Sequence, residues 1–94
     1  MRISHAGLRV LKACLDRSGS TLHGYELMQM TGVSSGTLYP LLARFEEEGW
    51  LSSRWESADP SDQGRPRRRL YRITSSGQAA LAEYLGVLGV GSPA

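Results

Sequence analysis

Thr31-Gly32-Val33-Ser34-Ser35-Gly36-Thr37-Leu38-Tyr39-Pro40-Leu41-Leu42 is the stretch whose reading decides the fold. Gly32 takes a positive φ without a Cβ clash, so residues 31–34 read as a tight connection, and Ser34 or Ser35 offers an N-cap oxygen to a helix beginning near Ser35. Leu38, Leu41, Leu42 and Phe45 then recur at helical spacing, and Gly49 after Glu46-Glu47-Glu48 is a suitable stop. Pro40 sits inside this helix, where it removes one backbone bond and is expected to bend or loosen the first turns. The apolar spacing continues past it.

Toward the N-terminus, Leu22, Tyr25, Leu27 and Met28 predict a short helix over about 22–30, preceded by the breaker Ser18-Gly19-Ser20. Ser4 can cap a first helix running to about residue 17, with Leu8, Leu11, Cys14 and Leu15 on one face and Arg9, Lys12 and Asp16 on the wet one. Toward the C-terminus, residues 50–55 and about 68–73 suit two strands joined by a long hairpin loop rich in Ser, Asp, Gly and Pro. Thr74 can cap a fourth helix carrying Ala79, Leu81, Leu85 and Leu88. The expected fold is therefore mainly α with a small β-hairpin: a winged helix-turn-helix of three helices, a two-stranded wing and one short C-terminal helix. A single domain is expected over 1–88, with a dimerisation helix at about 75–88 and a flexible tail over 89–94.

Composition narrows the function. Apolar residues are 40% and charged residues 21% of 94, ordinary for a globular chain with room for one core. The lone Cys14 cannot form an intrachain disulfide and no signal peptide opens the sequence, so a cytoplasmic setting is expected. The longest apolar run, over 79–90, is broken by Glu83, Gly86 and Gly89 and falls short of the roughly 20 residues needed to span a bilayer. No membrane role is expected. His5, His23 and Cys14 lie in no metal-binding spacing, and Gly86, Gly89 and Gly91 do not follow a strand as a dinucleotide fingerprint requires. Neither catalysis, a metal nor a cofactor is expected, and His23 reads as structural or phosphate-facing.

A net charge of +2 alone does not announce nucleic acid, but the charges are segregated. Arg65, Arg67, Arg68, Arg69 and Arg72 fall within residues 64–72 with no acid among them. In Gly64-Arg65-Pro66-Arg67-Arg68-Arg69, arginines on a slim extended ribbon suit a narrow minor groove or flanking phosphates. Strand alternation can instead turn Arg72 toward the protein and a carboxylate. At the start of the third helix, Ser34, Ser35, Gly36, Thr37 and Tyr39 are short or flat polar groups suited to phosphates and base edges in a major groove. The plainer reading is that the serines only cap the helix and Tyr39 is core. Trp50 and Trp55 either pack the hairpin on the helices or line a pocket for a flat ligand.

The elements Leu22-His23-Gly24-Tyr25-Glu26-Leu27, Gly36-Thr37-Leu38-Tyr39-Pro40-Leu41-Leu42, Glu46-Glu47-Glu48-Gly49, Gly64-Arg65-Pro66 and Tyr71-Arg72-Ile73-Thr74 resemble those of PadR-type regulators over about residues 5–85. The resemblance implies a homodimer on a palindromic double-stranded DNA operator, commonly a repressor, with Tyr25, Thr37 and Tyr39 near DNA, and it accommodates Pro40 in the recognition helix. Some members bind a small aromatic effector between subunits. Leu70 stands where such proteins often carry an aromatic residue, and the part after the wing is short. Leu8, Leu15, Leu81, Tyr84, Leu85 and Leu88 are the candidate dimer residues, unless they close the monomer core. Two other readings fit the same surface: a phage or plasmid accessory factor in recombination or copy control, and a winged helix that binds protein.

Overall fold

The computed structural model describes residues 2–57, 64 and 66–87; the expectations placed on Arg65, Leu88 and the 89–94 tail lie outside the described residues. Four helices and three strands follow in the order α1 (His5–Asp16), β1 (Leu22–His23), α2 (Gly24–Thr31), α3 (Ser35–Glu47), β2 (Leu51–Trp55), β3 (Arg69–Ile73) and α4 (Ser75–Val87). The Ser4 hydroxyl accepts the Gly7 N–H at 3.1 Å to start α1, and Thr74 Oγ1 accepts the Gly77 N–H at 3.0 Å to start α4, both as the sequence predicts. Gly32 takes φ 72° and closes α2 with its N–H on the Met28 carbonyl. α3 is continuous through Pro40. The missing donor falls on the carbonyl of Gly36, an exposed residue, so the proline does not end the helix.

The sequence reading needs one correction in topology. α2 begins at Gly24, not near residue 22, because Leu22 and His23 form a strand that pairs antiparallel with β3. The sheet has three strands in the order β1-β3-β2, with Leu22 opposite Tyr71, His23 opposite Leu70 and Ser53 opposite Tyr71 from the other side. Leu22 is buried as the helical periodicity required, but from the strand. The turn into α2 is made by His23. Its Nδ1 accepts the Glu26 N–H at 3.3 Å, while a Glu26 carboxylate oxygen accepts the His23 N–H at 3.1 Å, a reciprocal capping box with an imidazole in the usual hydroxyl's place.

The core gathers Val10, Leu11 and Cys14 from α1, Leu27 from α2, Leu38, Leu42 and Phe45 from α3, Leu51 and Ile73 from the sheet, and Leu81 from α4. Leu81 is completely enclosed within one chain and is withdrawn from the candidate dimer surface: its side chain has nothing left to offer a second subunit. Leu8 and Leu15 on α1 and Tyr84 and Leu85 on α4 are only partly covered. Trp50 stacks on Phe45 with centroids 5.8 Å apart, so this tryptophan packs the sheet on α3. Where α3 gives way to β2, Gly77 of α4 lies so close to the Trp50 carbonyl that a Cβ there would overlap it, and Thr74 donates its N–H to that same carbonyl at 3.0 Å.

Two outcomes follow from this packing. Leu81→Ala leaves a cavity between α4 and the other elements and should lower unfolding stability by about 2–5 kcal/mol in urea titrations. Burial pushes the Cys14 thiol up to about 11. The folded chain holds that proton more tightly than the unfolded one, so this stabilisation is complete below the ordinary value of 9.0 and is lost as pH rises from there toward 11. Native protein at pH 8 should accordingly resist iodoacetamide, with Cys14 alkylated only after denaturation; rapid native labelling would contradict the packing.

Candidate nucleic-acid interface

Pairing of β1 with β3 sets the start of α2 beside the base of the wing, and α3 lies across from both. Between them is an open groove of about 480 Å³ lined by His23, Gly24, Tyr25, Tyr39, Trp55, Pro66, Arg67, Arg68, Arg69 and Tyr71. It unites parts far apart in sequence: Tyr25 from α2, Tyr39 from α3 and the arginines of the hairpin. Three of its aromatic residues are notably open to solvent, Tyr25 at 61%, Tyr39 at 46% and Trp55 at 55%. Tyr39 is therefore not a core residue. Its ring and hydroxyl lie against the α2 backbone at Gly24, where a Cβ would overlap them.

Ser34, Ser35, Gly36 and Thr37 are exposed on the first turn of the same helix, outside the groove's lining. Ser34 holds the N-cap position in extended backbone, yet its hydroxyl makes no capping bond. The helical bonds begin with the N–H groups of Thr37 and Leu38 on the Ser34 carbonyl, at 3.1 and 2.8 Å. The N–H groups of Ser35 and Gly36 precede that ladder, and an unpaired helix N-terminus of this kind favours anionic oxygens.

The arginines have different roles. Arg67 and Arg68 are exposed. The Arg68 backbone is fixed by exchange with Glu56: its N–H donates to the Glu56 carboxylate at 3.1 Å and its carbonyl accepts the Glu56 N–H at 2.8 Å. Its Nη1 lies 3.2 Å from His23 Nε2. That Nε2 is also 3.2 Å from the Glu26 carboxylate, while Nδ1 of the same ring accepts the Glu26 N–H. Arg69 is turned inward. Its Nε donates to Ser53 Oγ at 2.9 Å, Ser53 donates in turn to Glu46 at 2.7 Å, and Nη2 is 3.7 Å from the same carboxylate oxygen. The guanidinium carbon also sits 5.0 Å from the centre of the Trp55 ring. Arg69 thus braces the wing against α3, with its charge compensated by Glu46.

It is Arg69, and not Arg72, that alternation directs to a carboxylate. Arg72 points outward and donates to the Gly19 carbonyl at 2.8 Å. Buried Tyr71 beneath the groove has its phenol pushed above the ordinary range, first by burial and then by the negative charge of Glu46, with Arg69 opposing, so it stays neutral. Glu46 is the structural partner with no role read from the sequence, while His23 is structural as a helix cap and Trp55 lines the groove beneath the Arg69 cation. The signals were the four-residue span His23-Gly24-Tyr25-Glu26, which has capping-box spacing, and the parity that puts Arg69 on the face of Tyr71. Among the described residues, no group of three or more potential metal ligands occurs, and no helix is long and apolar enough to cross a membrane.

Residues 10–83 match the transcriptional regulator PadR-like family. The chain belongs to that family. Over 61 residues this PadR-like chain is 48% identical to a transcriptional regulator of Mycobacterium tuberculosis, a match covering 65% of the chain and 47% of that relative, so the chain spans about half of the relative's length. A PadR family transcriptional regulator from Eggerthella lenta has a similar structure, with a TM-score of 0.71 at 28% identity over 88% of this chain and 73% of the other. A PadR-like transcription factor from Bacteroides fragilis gives 0.70 at 25% identity over 89% and 82%. The shared architecture is the winged helix.

The close approach of Tyr39 to Gly24 can be tested without a ligand. Gly24→Ala should displace the Tyr39 ring, seen as large shifts of its ring resonances in NMR spectra, and overpacking should lower stability by about 1–3 kcal/mol with the fold retained. Unmoved Tyr39 resonances would show that the contact is not tight.

Proposed function

We propose that this PadR-like chain is a sequence-specific double-stranded DNA-binding regulator that acts as a homodimer on a palindromic operator and represses transcription by occupying it. The observation that carries the reading is the groove in which Tyr39 of α3 and Tyr25 of α2 face Arg67 and Arg68 of the wing. Tyrosine hydroxyls and guanidinium forks are donors to phosphate oxygens, and the groove lies between the two elements that a winged helix applies to adjacent grooves of a duplex. With α3 in the major groove, Ser34, Ser35, Gly36 and Thr37 meet base edges and the near backbone. Arg67 and Arg68, together with Arg65 two residues earlier in the sequence, meet phosphates at its flank.

The winged helix is one domain, and α4 with α1 supplies the subunit contact. Leu8, Leu15, Tyr84 and Leu85 are the partly covered apolar residues on these helices, and Leu88 continues the series in sequence. A two-fold dimer would set its two α3 helices about 34 Å apart, one turn of duplex.

Selection of bound genomic fragments, with the mass in solution measured alongside, tests the whole proposal. Protected half-sites one turn apart and a two-chain mass support it; absence of duplex affinity at physiological salt overturns it. On a selected site, Arg67→Ala with Arg68→Ala should weaken binding to all sequences and reduce the slope of log K against log salt by roughly 1 for each phosphate that these side chains neutralise. Thr37→Ala should preferentially weaken the selected site, by about 1–3 kcal/mol if it reads a base. Equal effects on selected and random duplexes would deny Thr37 a reading role.

A further inference from the structure

The solvent face of the sheet carries a second basic site that the groove does not use. Side chains alternate along β2 and β3, so Leu51 and Ser53 with Arg69, Tyr71 and Ile73 face the helices, and Ser52 and Arg54 with Leu70 and Arg72 face away. Register puts Ser52 opposite Arg72 and Arg54 opposite Leu70. Arg54 and Arg72 are therefore diagonal neighbours on one face, with backbones roughly 7–8 Å apart. Together with Thr21 and Ser52 they border a shallow depression of about 160 Å³ whose lining contains no carboxylate.

The pair contrasts with Arg69 on the other face, whose charge meets Glu46 at 3.7 Å. Arg72 is held in place by the Gly19 carbonyl, which fixes the guanidinium without neutralising it. Arg54 is exposed and has no hydrogen-bond or ion-pair partner among the described residues. Adjacent like charges on one sheet face are unfavourable alone and become favourable around an anion. Two guanidinium forks beside two hydroxyl donors suit a phosphate group.

We infer that the outward sheet face, through Arg54 and Arg72 with Thr21 and Ser52, is a second phosphate-binding surface that takes the DNA backbone on the far side of the wing from the α3 groove. The inference rests on the DNA-binding reading. DNA is the source the topology favours, because the hairpin whose Arg67 lines the groove carries this pair on the face that alternation turns away from it.

The test is the salt dependence of binding to a selected duplex for the wild-type chain, Arg54→Gln, and Arg54→Gln with Arg72→Gln, each checked for folding by circular dichroism. Arg54→Gln leaves the Arg72 bond to Gly19 intact and keeps the test valid should the double variant unfold. Each arginine replaced should reduce the slope by roughly 0.9 for the phosphate it neutralises, and placing neutral methylphosphonates at those phosphate positions should weaken wild type but not the variants. Wild-type affinity with an unchanged slope in Arg54→Gln overturns this inference and leaves the groove reading standing. No duplex affinity in wild type overturns both. Titration with inorganic phosphate that shifts the Arg54 and Arg72 amides, with the duplex slope unaltered, makes free phosphate the ligand and overturns the assignment to DNA.

Discussion

The arrangement depends on β3 being hydrogen-bonded along both edges. All five residues of β3 pair with β2 on one side, and two of them, Leu70 and Tyr71, pair with β1 on the other, so the hairpin is joined to a segment that precedes α2. Without β1, the wing would be anchored only through its own hairpin and the packing of its inner face. With it, the N-terminus of α2 is fixed next to residues 68–71, and His23 serves at once as a strand partner, a helix cap and a neighbour of Arg68. A two-residue strand contributes few hydrogen bonds, but it removes the freedom that would let the groove open or slide.

The groove's second wall is secured by a polar chain, not by burial. Glu46, Ser53, Arg69 and Trp55 connect the C-terminal part of α3 to both strands of the hairpin through a carboxylate, a hydroxyl, a guanidinium and an indole face. Trp55 is more than half exposed, so it owes its position to the cation above it more than to the core. This divides labour among neighbouring arginines of identical chemistry. Arg69 gives up its charge to hold the wing, while Arg67 and Arg68 keep theirs at the surface.

Most of the fold could be read from the sequence because its punctuation is local. Ser4, Gly32 and Thr74 act within one turn of their own position, and the leucines of α1 and α3 repeat at a period that only a helix satisfies. β1 could not be read so, since two residues cannot display an alternation and Leu22 satisfies a helical pattern equally well. The candidate site was legible by residue type and less so by role. An arginine run announces positive charge, but which member faces a carboxylate is decided by strand parity and by Glu46 arriving from another element. Leu81 shows the same limit: an apolar residue on a short helix looks alike whether it meets its own core or a second subunit.

The junction at Trp50 has a mechanical meaning. The Trp50 carbonyl receives the Thr74 N–H, Gly77 presses against it, and Thr74 Oγ1 donates to the Gly49 carbonyl at 2.6 Å, one residue past the end of α3's cap. The end of α3 and the start of α4 therefore share one rigid joint, with no compliant linker between them. Whatever tilts α4 swings α3 as the other arm of a lever pivoting at residue 50, so in the proposed dimer the angle between the two α4 helices would also set the pitch of the α3 helices.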